Sequence, residues 1–504
     1  METVHKAESD IPSSDCAYEV LSLRLDTIHH KRAVDSAAAA LVACDIKMPA
    51  GEDFGKDNFE SLAVGRLSVL RKKLVREIKR LSDKTDYDSH VRHLLRQLER
   101  IDTILTIDRK TSSAINKLQK QIADRDAETR KNLIDCYVID HSDGGFELFQ
   151  MIGWKAANLA EIERLAGGDV IPPWFAVTNK AFMETLDTTV TGTEAGAGRR
   201  AAQGSSLRKA INSVLRRDDL NNQQKYLQIS SLWERIQLPD ELRRAVIKSY
   251  QEITRVSSVK ERMNQDSDPV YVAIRSSSQE EDTEAAARAG EFETYLYIHG
   301  EDQLLHYLKR TWSGLWTERA IHNRTVLGGD AAQTGGGVVV QRMVNSRVSG
   351  VLQTVNIPRG NIREMVINAG LGLGEGVVSG TVAADQVTVS KETDSEKEAL
   401  RFSYITSDKT EQIVFNRRAG FGTVCSQTLY HQRLRPALEY VELCQLVRIA
   451  ASLEKAYGYP LDIEFGIEDS CLWLLQARPV ASFLSVLNET LERFPIRING
   501  GRSI

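Results

Sequence analysis

The stretch that decides the fold is Leu461–Val480, which reads LDIEFGIEDSCLWLLQARPV. Apolar residues alternate with Asp462 and Glu464, so the two carboxylates share one face of a predicted strand. Two neighbouring carboxylates repel each other unless a cation or protons compensate. A Mg²⁺ ion that bridges ATP phosphates is a natural compensator, because it takes one or two protein oxygens as well as phosphate oxygens. The polar side of a solvent-facing hairpin is the alternative interpretation.

The second half of this stretch predicts a partner strand that carries two further polar groups. Gln476 offers a neutral amide oxygen beside the carboxylates, and Arg478 carries a guanidinium whose shape suits phosphate oxygens. We therefore expect these two residues and the two acids to lie on one side of a pair of strands.

The composition is that of an ordinary soluble protein with room for several domains. The chain has 504 residues, of which 42% are hydrophobic and 27% charged, and its formal net charge is −4. That charge gives no overall attraction to nucleic acid or to an anionic membrane, and no uncharged apolar run approaches the roughly 20 residues that span a bilayer. The six cysteines are scattered without a CxxC spacing. This argues against a zinc site or a disulfide framework and fits a reducing cytoplasm.

Apolar periodicity divides the chain into segments. Residues 1–136 are predicted to be an N-terminal helical region, because apolar residues recur there at spacings of three and four. Strand-like runs then alternate with helical ones, which is the pattern of an α/β or α+β protein. We place a first lobe at 137–330, a second lobe at 331–482 and a linker at 483–504.

Two upstream stretches offer cations to a bound anion. In Ile152–Thr178 a glycine precedes Lys155, which is predicted to open an amphipathic helix whose free N–H groups favour an anion. A solvent-facing lysine is the alternative there. In Val270–Ile298 a β-branched strand delivers Arg275 and three serines, followed by the acidic cluster Glu280–Asp282. Arg275 is predicted, with equal weight, to bind phosphate or to form a salt bridge with those acids.

Two further stretches have glycine-rich or strand character. Gly335–Ile357 reads as two strands around a turn, and a plain β-hairpin is its best single interpretation. The alternative is that the end of the first strand reads a base edge while Met343 packs on the ring. In Ile367–Val389 five glycines crowd one predicted loop that contains Glu375, which implies close backbone approach or positive φ. Rossmann and Walker motifs do not match this loop.

Another stretch, Val190–Ser206, is predicted to be a mobile loop or lid.

Taken together and in order, eight motifs of this chain resemble those of one family. They are GWKAANL (153–159), VAIRSSSQEED (272–282), AGEFETYL (289–296), WSGLWTERA (312–320), VVVQRMV (338–344), GLGEGVVSG (372–380), DIEF (462–465) and LLQARPV (474–480). The series resembles the nucleotide-binding domain of the phosphoenolpyruvate synthase and pyruvate phosphate dikinase family. That family also includes rifampin phosphotransferase and the glucan dikinases. The resemblance extends from Ile152 to Val480.

The resemblance implies an α+β fold, namely an ATP-grasp nucleotide-binding domain of two lobes that is preceded by the α-helical N-terminal region. It also implies an ATP-dependent phosphotransferase of the dikinase type with ATP and Mg²⁺ as cofactors. Lys155, Arg275 and Arg478 would be the catalytic cations that contact the triphosphate. Neutralising and aligning the phosphates is most of what phosphoryl transfer asks of a protein.

The resemblance assigns the remaining site residues in the same way. Glu464 and Gln476 would hold Mg²⁺, and Asp462 would lie beside them. The other implied nucleotide contacts are a hinge segment that meets adenine (Gln341, Met343 and Val344) and a glycine-rich loop (Gly372, Gly374 and Glu375).

In this family the β-phosphoryl group of ATP goes first to a histidine on a swivelling domain. That domain carries it to a small-molecule acceptor such as pyruvate. None of the ten histidines here has the surroundings of that motif. We therefore expect the phosphohistidine domain to be a missing C-terminal part or a separate chain, with dikinase turnover incomplete in this chain. Two alternatives remain. The chain could be a component of an ATP-dependent phosphotransferase or ligase that acts on an antibiotic or another small metabolite, or it could be a nucleotide-sensing interaction module. No nucleic-acid or membrane partner is expected.

Three positions depart from the family motifs. Trp154 stands where the second glycine of the GGK opening is usual, and Ala287 replaces the first residue of a Ser-Phe pair. Glu291 stands where a glutamine is usual. Trp154 is expected to crowd the phosphate loop, and Glu291 to add negative charge if it faces the phosphates.

Overall fold

The structure is a computed structural model whose described part contains two large β-sheets and the helices around them. The described residues are 135–140, 148–190, 204–261, 270–277, 294–326, 335–359, 361–391 and 400–480, with isolated positions between 71 and 145. Several predictions lie outside the described residues. They are most of the N-terminal helical region, most of the loop at 190–206, the acidic cluster at 280–282, positions 287 and 291, and the linker at 483–504.

The first sheet has five strands, all antiparallel to their neighbours. They are β1 (Val138–Asp140), β2 (Trp174–Val177), β3 (Val272–Ser277), β4 (Thr294–Ile298) and β5 (Gly337–Arg342). Their order across the sheet is β1-β2-β5-β3-β4. The helices of this half are α1 (Phe149–Ala166), α2 (Asn179–Leu186), α3 (Leu207–Leu215), α4 (Asn222–Glu234), α5 (Asp240–Glu261), α6 (Glu301–Ser313) and α7 (Glu318–Val326).

The second sheet has six strands and follows in the chain. They are β6 (Val348–Gln353), β7 (Glu364–Leu371), β8 (Asp385–Ser390), β9 (Phe402–Ile405), β12 (Leu461–Glu468) and β13 (Cys471–Pro479). Their order is β13-β12-β6-β7-β8-β9. A separate two-stranded hairpin is formed by β10 (Glu411–Phe415) and β11 (Thr423–Gln427). The helices are α8 (Gly374–Val378), α9 (Tyr430–Arg433) and α10 (Tyr440–Tyr457).

Period-two alternation of the strands explains how the two halves share a core. In β5, Val338 and Val340 face an aromatic cluster that includes Trp233 and Trp312. Val339, on the opposite face, joins the core that also holds α1, α10 and one face of the second sheet. The mixture of helices and sheets agrees with the predicted α+β class. No helix in the described ranges is both long and apolar enough to cross a bilayer.

The prediction that Gly335–Ile357 forms a β-hairpin is wrong. Strand β5 pairs with β2 and β3, while β6 pairs with β12 and β7, so both edges of each strand are already occupied by others. The chain crosses from one sheet to the other at residues 343–347. This crossing lies later than the predicted lobe boundary at residue 330. The division into two lobes stays a prediction.

Two other local predictions concern a helix and a loop. The helix predicted to open at Lys155 is the second of two helical segments within α1, which are separated by a kink at Gly153 with φ 76°. The structure adds a preceding turn that begins at Phe149. The predicted end of the helix is confirmed, because Gly167 caps it with φ 88°. The five crowded glycines do not form one loop, since Gly370 lies in β7 while Gly374 and Gly376 lie in α8. The close backbone approach that the glycines also predicted is present, because a β-carbon on Gly370 would lie 2.6 Å from Val377 Cγ2.

Candidate functional site

Arg275 joins the two sheets at the candidate site. It lies in β3, and its side chain reaches the hairpin of β12 and β13 in the other sheet. Arg275 Nη2 donates to Gln476 Oε1 at 2.5 Å and to Glu464 Oε2 at 3.4 Å, and Nη1 donates to the Leu475 carbonyl at 3.2 Å. The ion pair is partly sheltered, with 15% of the Arg275 side chain and 23% of the Glu464 side chain exposed. Of the two predicted partners of Arg275, the downstream acids lie outside the described residues.

The hairpin brings the four predicted polar residues onto one face, as the alternation predicted. Glu464 lies opposite Gln476, and Asp462 lies opposite Arg478. Arg478 Nε donates to Asp462 Oδ2 at 2.9 Å. Arginine side chains therefore compensate both carboxylates in this structure, a role that we predicted for a cation or protons.

A β-bulge in β13 creates part of this geometry. The register shifts between Glu464 and Phe465, so that Leu475 is the extra residue on its strand. Its carbonyl is one of the three acceptors of Arg275. Without the bulge, the side chains of β13 on one side of Leu475 would point to the opposite face of the sheet. The bulge thus lets Gln476 share a face with Glu464 while Leu474 stays in the core.

Oxygen atoms suited to a divalent cation lie along the same face. Asp462 Oδ1 is buried and accepts no hydrogen bond from the described residues, and the same holds for Gln353 Oε1 on the neighbouring strand β6. The described residues contain no group of three or more His, Cys, Asp or Glu side chains that could bind a metal by themselves. A Mg²⁺ ion held here would therefore take part of its coordination from phosphate or water, as Mg²⁺ usually does.

Lys155 is placed by tight packing between α1 and the end of β3. The kink at Gly153 starts a new helical turn, and the Ala156 amide in that turn donates to Ser277 Oγ at 3.1 Å. A β-carbon on Gly153 would lie 1.8 Å from the Ser277 carbonyl oxygen. Lys155 thus lies at the beginning of a helical segment that contacts the strand carrying Arg275.

Replacing Gly153 with alanine is expected to lower the free energy of unfolding by about 3 kcal/mol, because strain at positive φ adds to a backbone clash. The matched control is Gly167→Ala in the same helix, where φ is 88° but nothing lies within 4 Å of the added carbon. Urea unfolding of both variants measures the difference. We expect the control to lose only about 1 kcal/mol. Equal losses in the two variants would contradict the packing argument.

The side chain of Trp154, where the family motif has glycine, is directed to the core. Its ring stacks on Phe149 with centroids 4.6 Å apart and packs against the shared hydrophobic cluster. The effect of this residue on the phosphates stays a prediction.

The predicted hinge segment lies at the end of β5. Gln341 is 3% exposed, and its Nε2 donates to no acceptor among the described residues. It shares a face of the sheet with Arg275, because Gln341 pairs with Ala273 and Arg275 pairs with Val339. Val344 is also buried, and its backbone amide donates to none of the described residues. Two buried donors are therefore left at the end of this strand.

The predicted glycine-rich segment lies over the same face of the second sheet as the carboxylates. Ser349 Oγ donates to the Gly372 carbonyl at 2.7 Å, and Ser349 shares a face of β6 with Val351, which lies opposite Glu464. On its other side the segment packs on the β10–β11 hairpin. The Leu373 amide donates to the Ile413 carbonyl at 2.9 Å.

Two residues of this segment show why it is closely packed. A β-carbon on Gly372 would lie 2.3 Å from the Ile413 carbonyl oxygen, and its φ is 79°. Thr423 Oγ1 donates to Glu375 Oε2 at 2.9 Å. Among the described residues, these contacts attach the glycine-rich segment to the β10–β11 hairpin, and none of them joins it to Arg275 or Arg478.

Aromatic residues border the crossing point between the sheets. The ring of Tyr297 stacks on Phe415 of the hairpin with centroids 4.4 Å apart, and its hydroxyl donates to Asn345 Oδ1 at 2.8 Å. Tyr297 has a φ of 57°, which non-glycine residues rarely adopt. Burial, followed by the Glu468 carboxylate, raises the pKa of the Tyr297 hydroxyl well above its usual range. The hydroxyl therefore stays a neutral donor.

Three contributors to the site were missed in the sequence. Ser277 was visible only as one of three serines after Arg275, and the carbonyl of Leu475 has no side-chain signal at all. Glu468 reads as an exposed turn acid, yet it accepts from the Asn345 amide at 2.7 Å and from Arg342 Nη2 at 2.9 Å. The alternation of side chains along β3 could have identified Ser277 as a residue on the same face as Arg275. The Leu475 carbonyl depends on the bulge, and the role of Glu468 depends on a contact between the two sheets.

Comparison with known proteins identifies related sequences. Residues 149–488 match the family described as the AMP/ATP-binding domain of pyruvate phosphate dikinase. The chain is 31% identical over 372 residues to the probable phosphoenolpyruvate synthase of Pyrococcus horikoshii, covering 68% of this chain and 43% of that protein. It is 32% identical over 363 residues to the phosphoenolpyruvate synthase of Pyrococcus furiosus, covering 66% and 42%.

A shorter part of the chain is also similar to a phosphotransferase whose substrate is not named. The uncharacterized phosphotransferase YvkC of Bacillus subtilis is 36% identical over 211 residues, which cover 42% of this chain and 24% of that protein. The chain thus spans less than half the length of these curated relatives.

Proposed function

This chain belongs to the family of the pyruvate phosphate dikinase AMP/ATP-binding domain, and from that premise we propose that it binds Mg²⁺-ATP and passes the β-phosphoryl group to a histidine outside the chain. The observation that carries the proposal is the contact of Arg275 with Glu464 and Gln476. It brings a phosphate-binding cation of one sheet to the metal-type oxygens of the other. Phosphoryl transfer needs this combination of positioning and charge neutralisation.

The base of ATP is proposed to bind at Gln341, Met343 and Val344. Gln341 Nε2 and the Val344 amide are two buried donors that the described residues leave without acceptors. An adenine ring offers nitrogen acceptors to such donors, and Met343 would pack on the ring. The triphosphate would then extend along the shared face toward Arg275 and the start of the α1 segment at Lys155, under the glycine-rich segment from Gly372 through Gly374 to Glu375.

The residues present fit a Mg²⁺ ion between the phosphates and β12. Glu464 and Gln476 supply a carboxylate oxygen and an amide oxygen on facing positions, and Asp462 Oδ1 lies beside them without a described donor. Oxygen ligands of this kind are the ones that Mg²⁺ prefers. When bound, the ion would neutralise phosphate charge and help to align the transferred group.

Arg275, Lys155 and Arg478 are proposed to hold the phosphate oxygens. Arg275 donates to Gln476 Oε1 and Glu464 Oε2, and phosphate oxygens would replace these two oxygens as its acceptors. The proposed reaction breaks the α–β and β–γ phosphoanhydride bonds of ATP, forms one histidine–phosphorus bond to the β phosphorus, and uses one water molecule to take up the γ-phosphoryl group. It leaves AMP, orthophosphate and a phosphohistidine, with the histidine proton released.

The two sheets are proposed to be the two lobes of an ATP-grasp domain, preceded by the N-terminal helical region and followed by a linker from residue 483. The partner would be a phosphohistidine swivelling domain, with a small acceptor such as pyruvate. The similarity to a phosphotransferase of unspecified substrate favours keeping another small molecule, such as an antibiotic, as a second candidate acceptor.

The proposal is tested by incubating the chain with Mg²⁺ and ATP labelled at the β phosphorus, with and without an isolated histidine-bearing domain of a related synthase. We expect AMP formation and label on that domain only when both components are present. ATP labelled at the γ phosphorus should yield labelled orthophosphate. ATP binding without any transfer to the histidine domain would favour the nucleotide-sensing alternative over the enzyme.

A further inference from the structure

Glu468 contacts the residues on either side of Met343 and Val344, two of the residues of the proposed base site. It is the last residue of β12, in the second sheet, whereas the segment at 342–345 follows β5 of the first sheet. Its Oε2 accepts from Arg342 Nη2 at 2.9 Å, and its Oε1 accepts from the Asn345 amide at 2.7 Å. The two contacts flank Met343 and Val344. Both have the length of strong charge-assisted hydrogen bonds.

The protein itself uses most of the amides in this segment. Arg342 donates to the Pro173 carbonyl at 2.8 Å, and Met343 donates to the Tyr271 carbonyl at 2.8 Å. Asn345 is bonded through its amide to Glu468. Among the described residues, only the Val344 amide of these four has no acceptor. One donor is thus left between bonded neighbours.

Other contacts of Glu468 and its partners make the arrangement stiff. Arg342 also lies over the ring of Trp473, 5.0 Å from its centroid, and its side chain is 10% exposed. Asn345 is held a second time, because its Oδ1 accepts from the Tyr297 hydroxyl. The segment is therefore fixed by groups from β4, β12 and β13 together.

We propose that Glu468 is a positioning residue that sets base selectivity by fixing the Val344 amide, an inference that rests on the proposed binding of ATP at this segment. A donor held in place before binding costs little ordering when the ligand arrives. It favours a base that presents a ring-nitrogen acceptor, as adenine does, over one that presents a ring N–H, as guanine does. Glu468 itself touches no substrate.

The test compares the binding of ATP, GTP and inorganic tripolyphosphate to Glu468→Ala in the full chain by calorimetry with Mg²⁺. We expect the preference for ATP over GTP to fall about 10-fold, as the loss of one well-placed hydrogen bond implies. Tripolyphosphate affinity should stay unchanged, because the phosphate-binding residues are untouched. A general loss of structure would instead weaken all three ligands.

The matched control is Glu454→Ala in α10, which removes a glutamate with similar exposure, 19% against 22%, that pairs with Lys391 at 2.7 Å. We expect its ligand preferences to match those of the unmodified chain. If the alanine variant of Glu468 does not fold, the same three titrations of Glu468→Gln test the proposal. This variant keeps an acceptor for the Asn345 amide but loses the charge that holds Arg342, and it should lower the preference about 3-fold.

The possible failures are distinguishable. An unmodified chain that binds ATP no better than GTP or tripolyphosphate would overturn the proposed base site itself. An unmodified chain that prefers ATP, combined with a Glu468 variant that keeps the full preference, would overturn only the role of Glu468. An equal loss of preference in Glu454→Ala would also overturn it.

Discussion

Glu464→Ala is expected to abolish Mg²⁺-dependent AMP formation while leaving the fold intact. The substitution removes the carboxylate ligand proposed for Mg²⁺ and leaves the charge of Arg275 without its acidic partner. Even changes to groups that merely support metal ligands cost roughly 10- to 100-fold in metal affinity or activity, so the loss of a ligand should exceed this. The measurements are AMP production with the histidine-bearing domain and the Mg²⁺ dependence of ATP binding.

Glu364→Ala is the matched control for this prediction. Glu364 lies in β7 of the same sheet and has 22% of its side chain exposed, against 23% for Glu464, and it accepts from Asn356 Nδ2 at 2.6 Å. We expect the control to retain AMP formation and Mg²⁺ dependence. Unchanged AMP production in Glu464→Ala would refute the metal assignment.

Arg275→Met is expected to change the binding of ATP and of Mg²⁺ alone in opposite directions. ATP affinity should fall roughly 10- to 100-fold, because charge-assisted hydrogen bonds to phosphate are lost. Mg²⁺ alone should bind more tightly, because the arginine no longer occupies Glu464 Oε2 and Gln476 Oε1. Calorimetric titrations with Mg²⁺, and with ATP at saturating Mg²⁺, measure both effects.

The control for this second prediction is Arg433→Met, which removes another arginine from a carboxylate pair. Arg433 Nη2 lies 2.5 Å from Asp408 Oδ2, and 30% of its side chain is exposed, against 15% for Arg275. We expect it to leave both titrations unchanged. If Arg275 had only a structural role, its variant would lose thermal stability and affinity for both ligands together, and the phosphate role would be wrong.

The family and the class of chemistry were predictable from sequence, because they depend on local motifs. The match over residues 149–488 confirms the resemblance inferred from eight short motifs and, with it, membership of a phosphotransferase enzyme family that binds AMP or ATP. The choice among acceptors was not predictable. The chain spans less than half the length of these relatives, so the matched part does not identify an acceptor.

Local periodicity predicted strands better than it predicted their partners. The segments of β5 and β6 were recognised as strands around a turn, yet the predicted hairpin between them is wrong. Both edges of β5 pair with β2 and β3, and both edges of β6 pair with β12 and β7. The same limit explains the missed role of Glu468, whose acceptor oxygens meet a segment more than a hundred positions away in sequence. Proximity in sequence carries no information about such contacts.

The sequence by itself determined the alternation that puts Asp462 and Glu464 on one face, because side chains of a strand alternate with a period of two. It also determined that Gln476 and Arg478 would follow on a second strand. Only the tertiary structure decided how those groups meet. A bulge at Leu475 sets the cross-strand register, and β3 of the other sheet brings Arg275 between Glu464 and Gln476. Register and sheet order depend on packing across the whole domain, which no local pattern specifies.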